Sequence, residues 1–586
     1  MGNDITILIG GAAGQGIQTI GSLLAGICHK AGLFLFSYDD FQSRIRGGHS
    51  FHLLRISNQP LSAPNLEPDI LVAMDQNSYD LHHGRLTDRA AVLLNGKHRD
   101  DPKTAPIEPQ GLTGAGSVLH LNLEDLAKEA GGKIVANTVA AGAVAAMLGT
   151  GFSLVRQEIA HQFGSRGKKI EKMNLAAAEK GYEAGRDTPF GHSLEFGGTG
   201  ADRVVMSGAR AAALGALAAD CRFFPFYPMS PGTPIISHLA SFADQVPIVV
   251  EQAEDEIAAV NMAIGASFAG VRALTATSGG GFSLMVEGLG LAGISETPIV
   301  IINAQRPGPA TGLATRTAQA DLLFAIHASQ DEFPRFVFAP GSVLSTFHAV
   351  KKAVMLADQF QVPAIVLMDQ YLVDSAMTEA REFSLGNAHK PFLQTDPAAR
   401  EAQLSQDETY QRYRFTKDGI SPRIHPCTGA GLVRVAGNEH TEAGFPDEAP
   451  QNRNAMVEKR FKKLAAMKKQ MAMPSVFSAD SELFLTGWGS TKGCIMEACL
   501  TLRQEGINVG WILFEDIWPL DEQALRTVLA DKKMVMVEGN ATCQLGTLIH
   551  SLTGVDYVSC VRKYDGRPIY PAYIIEKVRQ LQGGAK

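Results

Sequence analysis

Ile5-Thr6-Ile7-Leu8-Ile9-Gly10-Gly11-Ala12-Ala13-Gly14-Gln15-Gly16 opens the chain with an apolar, β-branched run that ends in glycines. Ile5–Ile9 reads as a buried strand, and apolar residues then recur at helical spacing from about Ile17 to Ala31. A second strand-like run follows at Leu33–Phe36, with further runs at Ile70–Met74 and Ala91–Leu94. Short apolar strands alternating with helices are the pattern of βαβ units on a parallel sheet.

The pattern recurs twice. Strands are expected at Pro247–Glu251, Ala273–Thr277, Ile299–Asn303 and Ala364–Asp369, with helices such as Gly208–Asp220 and Asp255–Ala269 between them. A last set runs through Leu483–Thr486, Val509–Phe514 and Met534–Glu538. The fold class is therefore α/β: three α/β domains with mostly parallel sheets, over residues 1–182, 203–375 and 475–586. Residues 183–202 are polar and Gly-rich and read as a linker. Residues 376–474 form an extended polar insertion with little core of its own, helical from about Asn452 to Met473.

Of the 586 residues, 45% are hydrophobic and 19% charged, enough apolar content for large cores. The formal net charge is −7, which argues against a nucleic-acid binder. The run Lys459-Arg460-Phe461-Lys462-Lys463 reads as a solvated helix face. No stretch reaches the ~18 consecutive apolar residues of a membrane helix, and the N-terminus has no signal-peptide pattern. A cytoplasmic protein is the expectation. The seven cysteines have no C-x-x-C spacing, fit no zinc or iron–sulfur pattern, and read as buried reduced thiols.

Six motifs could carry chemistry. The first glycine turn could bring backbone amides to a phosphate, although Ile17 stands where a Walker loop has Lys and Thr19 where the dinucleotide fingerprint has Gly. A plain strand-to-helix turn fits it equally. Asp40 to Ser50 holds Arg44, Arg46 and His49 beside Gly47-Gly48 and reads as an exposed cationic loop suited to a carboxylate. Spacing does not rank those three residues. In Tyr227-Pro228-Met229-Ser230-Pro231-Gly232-Thr233-Pro234, prolines would fix hydroxyls on a rigid turn. Glu251-Gln252-Ala253-Glu254-Asp255-Glu256 crowds carboxylates at a strand-to-helix junction. The small residues after Glu256 allow close packing, so a carboxylate at this helix tip would be desolvated and able to share a proton with a heterocycle. Thr275-Ala276-Thr277-Ser278-Gly279-Gly280-Gly281 ends a strand in hydroxyls and glycines, where open α/β sheets hold ligands. Arg306-Pro307-Gly308-Pro309-Ala310-Thr311-Gly312-Leu313-Ala314-Thr315 offers a carboxylate clamp. Each loop taken singly is equally consistent with plain structure.

Taken in order, these motifs resemble the 2-oxoacid:ferredoxin oxidoreductases over nearly the whole chain. The GGAAGQG turn and the SRIRGGHS loop are similar to the family's gamma domain. YPMSPGTP, EDEIAA, TSGGG and RPGPATGLAT are similar to the thiamine pyrimidine-binding domain of its alpha subunit. TGWGSTKG and KYDGRPIYP are similar to its transketolase-C-like domain. The resemblance implies that Glu256 contacts N1′ of the thiamine aminopyrimidine and favours the imino tautomer that deprotonates the thiazolium. It implies that Tyr227, Pro228, Ser278 and Gly279 lie against the cofactor, and that Arg306 and Thr315 hold the substrate 1-carboxylate. Ser230 stands where many relatives have Thr, with Met229 and Gly232 also departing from their YPITPS pattern, so the shape of that loop is open. Arg46, with Arg44 or His49, would reach the distal carboxylate of a dicarboxylic substrate.

Tyr564-Asp565-Gly566-Arg567 has only part of a diphosphate-and-magnesium motif, and cluster cysteines are missing. The resemblance assigns Mg2+ and a [4Fe-4S] cluster to a beta subunit, in an (alpha-beta)2 assembly that passes electrons to ferredoxin. The implied reaction is oxidative decarboxylation of 2-oxoglutarate to succinyl-CoA and carbon dioxide, or the reverse, carbon dioxide fixation, with coenzyme A as co-substrate. Pyruvate, a branched-chain or an aryl 2-oxo acid are alternatives. A nucleotide-binding electron-transfer subunit and a non-catalytic scaffold are alternatives of other classes.

Overall fold

Residues 4–42, 47–96, 117–188, 190–192, 194–383, 392–393, 409–427 and 432–583 are described by a computed structural model. Their contacts divide the chain into two units. One holds residues 1–206, 375–382 and 570–572, and the other holds the rest.

In the first unit, the opening strand runs from Asp4 to Ala13 and takes Gly10 and Gly11 into its ladder, opposite Phe51 and Ser50. The turn is thus confined to Gly14-Gln15-Gly16, with Gly16 at φ 74° before the helix Ile17–Lys30. The eight-stranded sheet has the order Val118–Leu121, Ala91–Asn95, Ile70–Ala73, Asp4–Ala13, Gly47–Ser57, Phe34–Asp40, Ala376–Ala380, Arg203–Ser207. Its first four strands are parallel, as the βαβ reading requires. Gly47–Ser57 pairs antiparallel with both Asp4–Ala13 and Phe34–Asp40. The short connection across 41–46 leaves no room for a crossover helix, so a hairpin results. This corrects the expected loop between Asp40 and Ser50: its second half is strand, and Phe51, Leu53, Leu54 and Ile56 are buried. The helix Ala136–Met147, buried almost all round, packs between Ile17–Lys30 and Lys168–Gly185.

In the second unit, a five-stranded sheet has the order Leu274–Thr277, Val300–Gln305, Ala364–Asp369, Phe336–Phe338, Asp516–Trp518, parallel except for the last strand. A parallel pair, Phe223–Phe226 and Val249–Gln252, bridges to Ala273 through Phe223. A further sheet has the order Ser475–Phe477, Val509–Phe514, Leu483–Trp488, Met534–Glu538, Ser559–Arg562, again parallel except for Ser475–Phe477. One apolar cluster spans both five-stranded sheets and includes Ile301, Phe338, Val366, Trp488, Phe514 and Met536.

The basic run at 459–463 is not a solvated face. Lys459 and Lys463 are buried, and their ammonium groups lie 2.6 Å from the two carboxylate oxygens of Glu296. Arg412 donates to the Glu296 carbonyl at 2.7 Å, and Arg460 pairs with Glu439 at 2.8 Å. The helix Pro450–Lys462 therefore docks through charge, which a hydrophobicity pattern does not register. The insertion's separate apolar cluster is small, made of Tyr410 and Ile424 with Val433 against them.

Candidate active site

The helix Glu256–Phe268 follows directly on the strand Val249–Gln252. Asp255 is extended and its Oδ1 accepts the Ala258 amide at 2.7 Å, an N-cap that fixes where the helix begins. Glu256 is thereby placed at the helix tip, and it is only 3% exposed. Ala259 and Ala263 keep this helix slim, and it packs on the helix Gly279–Ile294. Gly281 faces the Glu256 side chain. A Cβ at Gly281 would lie 2.1 Å from Thr277 Oγ1 and 2.6 Å from Glu256 Oε1, so only glycine fits.

Glu256 Oε1 is buried and has no hydrogen-bond partner. Arg306, just past the strand Val300–Gln305, donates from Nη1 to the Ser230 carbonyl at 2.7 Å, while its buried Nε has no partner. Burial pushes the guanidinium pKa down, and the nearby Glu256 carboxylate pushes it back up. Ser278 Oγ, Thr275 Oγ1 and Asn303 Oδ1 are also buried and unpartnered. Thr277 and Asn303 are register partners on adjacent parallel strands, so Ser278 and Asn303 lie toward the strands' C-terminal ends, with Thr275 two residues before. That is the position at which open α/β sheets hold ligands.

The loop after Arg306 turns at Gly312, φ 53°, where a Cβ would lie 1.8 Å from the Pro307 carbonyl. It brings Thr315 to a buried position. Beyond it, the Gln319 amide donates to the Gly539 carbonyl at 2.8 Å, and Gln319 Nε2 donates to the Trp488 carbonyl at 2.8 Å. Asn540 Nδ2 donates to the Gln319 carbonyl at 3.0 Å, and Gln544 Nε2 to the Ala320 carbonyl at 2.8 Å. The C-terminal sheet thus holds the downstream end of this loop.

The structure brings Arg306 to Ser230 through a hydrogen bond and near Glu256, and Ser278 follows Thr277, which faces Glu256 across Gly281. Ser230 joins through its carbonyl rather than the expected hydroxyl, and it is exposed, as are Tyr227 and Pro228. His49 lies in the first unit, where its Nε2 is 2.7 Å from His82 Nε2 and its Nδ1 is 3.4 Å from Ser78 Oγ. Burial lowers the pKa of His49 and pushes that of His82 down to about 3. Arg44 and Arg46 lie outside the described residues. In the Gly10–Gly16 segment, the Ala12 amide is already taken by Gln15 Oε1 at 2.7 Å and Asp75 Oδ2 at 3.1 Å, and so is not left open for an anion.

Sequence reasoning missed Asn303 and Asp321. Asp321 Oδ2 accepts Asn303 Nδ2 at 3.0 Å, and burial raises the pKa of its carboxyl. Asn303 carried a signal, a polar residue near the end of an apolar strand; Asp321 carried none.

Two family models match this chain. Residues 6–184 match "Pyruvate ferredoxin/flavodoxin oxidoreductase", and residues 214–459 match "Pyruvate flavodoxin/ferredoxin oxidoreductase, thiamine diP-bdg". A 2-oxoacid:ferredoxin oxidoreductase subunit alpha from Saccharolobus solfataricus is 31% identical over 98% of this chain and 98% of its own length. The chain belongs to the 2-oxoacid:ferredoxin oxidoreductase alpha-subunit family. A 2-oxoglutarate synthase subunit KorA from Methanocaldococcus jannaschii is 31% identical over 57% of this chain and 88% of that protein. The 2-oxoglutarate:ferredoxin oxidoreductase from Magnetococcus marinus, solved with 2-oxoglutarate, coenzyme A and succinyl-CoA bound, superposes with a TM-score of 0.89. It is 28% identical and covers 99% of this chain and 100% of that one. Membership of this oxidoreductase family accounts for a thiamine diphosphate-binding segment that includes Glu256 and Arg306. Among the described residues, no helix is long and apolar enough to cross a membrane.

Proposed function

We propose that this chain is the alpha subunit of an enzyme that oxidatively decarboxylates 2-oxoglutarate to succinyl-CoA and carbon dioxide, or runs the reverse, with electrons passed to ferredoxin. The observation that carries the reading is the unpartnered Glu256 Oε1, buried at a helix tip near Arg306. A buried acceptor without a donor is costly, by roughly 1–3 kcal/mol. A heterocycle with an N–H edge, such as the thiamine aminopyrimidine, relieves that cost.

When bound, thiamine diphosphate supplies the carbanion chemistry of the decarboxylation. Glu256 would hold a proton at the aminopyrimidine edge, and its burial excludes water that would otherwise compete for it. Arg306 keeps Nη1 on the Ser230 carbonyl, which fixes its plane, and offers the unpartnered Nε side to a carboxylate. Thr315 adds a hydroxyl on the same loop, and Tyr227, Pro228, Ser278 and Gly279 would border the cofactor. The diphosphate, its Mg2+ and a [4Fe-4S] cluster belong to a beta subunit in this reading, so the site is completed between chains. Arg44, Arg46 and His49 remain candidates for the distal carboxylate. His49 is already engaged with His82, and burial lowers its pKa, which favours the two arginines for that charge.

The choice of 2-oxoglutarate is supported by a relative and a superposable structure that both carry that substrate in their names. The test is turnover of the assembled enzyme with 2-oxoglutarate, pyruvate, a branched-chain and an aryl 2-oxo acid. The highest kcat/KM is expected with 2-oxoglutarate. Higher kcat/KM with pyruvate would overturn the substrate but not the chemistry.

A further inference from the structure

Apart from Glu256 and Arg306, the C-terminal sheet carries a cluster to which the proposed reaction assigns no role. Glu538 ends the strand Met534–Glu538, Cys560 lies on the edge strand Ser559–Arg562, and Cys543 caps the helix Gln544–Thr553. The carboxylate and the two sulfur atoms all lie within 4.8 Å of one another. Two of the three residues are buried, and Cys560 is half-buried. Among the described residues, no other group of three potential metal ligands comes this close.

The geometry points to a site for a thiophilic divalent ion of the Zn2+ class, held by Cys543, Cys560 and Glu538. Two thiolates on a tetrahedral zinc, with bonds of about 2.3 Å, stand about 3.8 Å apart, so closing the two sulfurs needs a shift of at most about 1 Å. Each ligand is mounted on regular structure or at its end, which limits wider displacement.

The outer shell is already in place. Glu538 Oε2 accepts Trp488 Nε1 at 3.1 Å, Asn540 Nδ2 at 2.7 Å and the Leu545 amide at 3.0 Å. Oε1 accepts the Gly546 amide at 3.1 Å, and the Cys543 thiol hydrogen-bonds the same carboxylate, so the sulfur already faces the group with which it would share an ion. Such orienting partners are what metal-binding carboxylates require. Cys543 adopts the left-handed backbone, φ 56°, which is uncommon for a residue with a side chain and sets its sulfur toward Cys560 and Glu538. Cys560 also lines an open groove with Arg562, Tyr564, Tyr573 and Lys577, so one of the three ligands borders solvent.

Binding forms two metal–sulfur bonds and one metal–oxygen bond and releases the two thiol protons to water, with no change of oxidation state. The same turn, 538–546, holds Gln319 through Gly539 and Asn540. An ion here would tie the edge strand to the segment that supports the clamp loop.

Cd2+ tests this, because thiolate–cadmium bonds absorb in the ultraviolet. The full chain, carrying Cys427→Ser to remove its exposed thiol, is titrated with Cd2+ under reducing conditions, alone and with Cys560→Ser added. Cys560 is half-buried, so that change is the one least disruptive to folding; thermal melting confirms the fold of both proteins. One tightly bound Cd2+ per Cys427→Ser chain is expected, with at least about a hundredfold weaker binding once Cys560 is removed. Equal Cd2+ binding by both proteins, or no thiolate–cadmium absorption in either, overturns the site. A Cys543–Cys560 disulfide in non-reducing peptide maps of a chain that takes no Cd2+ after reduction overturns it as well.

Discussion

Glu256 and Glu296 are both buried glutamates of the second unit, 3% and 1% exposed, and their surroundings are opposite. Glu296 is saturated: Lys459 and Lys463 each sit 2.6 Å from it, with Arg412 beside them. Burial pushes its pKa up, but these three cations outweigh burial and hold the carboxyl well below the usual range. Glu256 has a buried oxygen with no hydrogen-bond donor, at a helix tip. A hydrogen-bonded buried ion pair holds a docked segment in place, whereas a buried acceptor without a donor is a demand for a ligand. The contrast separates architecture from chemistry within one fold unit.

The sharpest way to break it is to neutralise each carboxylate in turn. Glu256→Gln should lower kcat of the assembled enzyme by about 10²- to 10⁴-fold, the range for loss of a general acid–base group, with melting temperature nearly unchanged. Glu296→Gln should do the reverse. It strands two buried ammonium groups and should cost about 3–5 kcal/mol in urea unfolding, while the protein that stays folded keeps its kcat. If both variants lost activity without losing stability, the distinction would fail.

Smaller changes sharpen the picture. Gly281→Ala forces a methyl into Thr277 and Glu256 and should cost roughly 1–3 kcal/mol together with much of the activity, read by melting and turnover. Arg306→Lys loses the planar guanidinium that reaches both the Ser230 carbonyl and a carboxylate. KM for the 2-oxo acid should rise about 10- to 100-fold, as for a lost hydrogen bond to a charged group. The smallest effect is on pH. Glu439 is raised by burial, but Arg460 and Arg453 bring it down to about 2. Its folded pKa lies below the unfolded value of about 4.3, so its stabilisation is complete above that value and fades as pH falls from there toward 2. Glu296 has the same sign. Acid unfolding should therefore begin below about pH 4, and Arg460→Met should flatten the Glu439 part of the curve.

Much of this fold was legible because its strands are apolar runs with abrupt ends. Ala364–Asp369, Val509–Phe514 and Met534–Glu538 fall where the sequence places them. Glu256 at a buried helix tip was legible for a local reason, a run of small residues behind a capping aspartate. Gly47–Ser57 was hidden because glycines and arginines at its start look like a loop, while its burial depends on two strands it meets only in the fold. The buried lysines at 459 and 463 were read as solvated because their partner, Glu296, is far away in sequence. Asp321 and the Cys543–Cys560 pair were hidden for the same reason: pairwise chemistry between distant residues leaves no periodicity.

The central claim is that Glu256 handles a proton at the cofactor. Its most direct test is deuterium exchange at the thiazolium C2 of thiamine diphosphate bound to the assembled enzyme, followed by quenched flow and NMR. The account predicts that Glu256→Gln slows this exchange by at least about a hundredfold with the cofactor still bound. Exchange at the wild-type rate in that variant would contradict it.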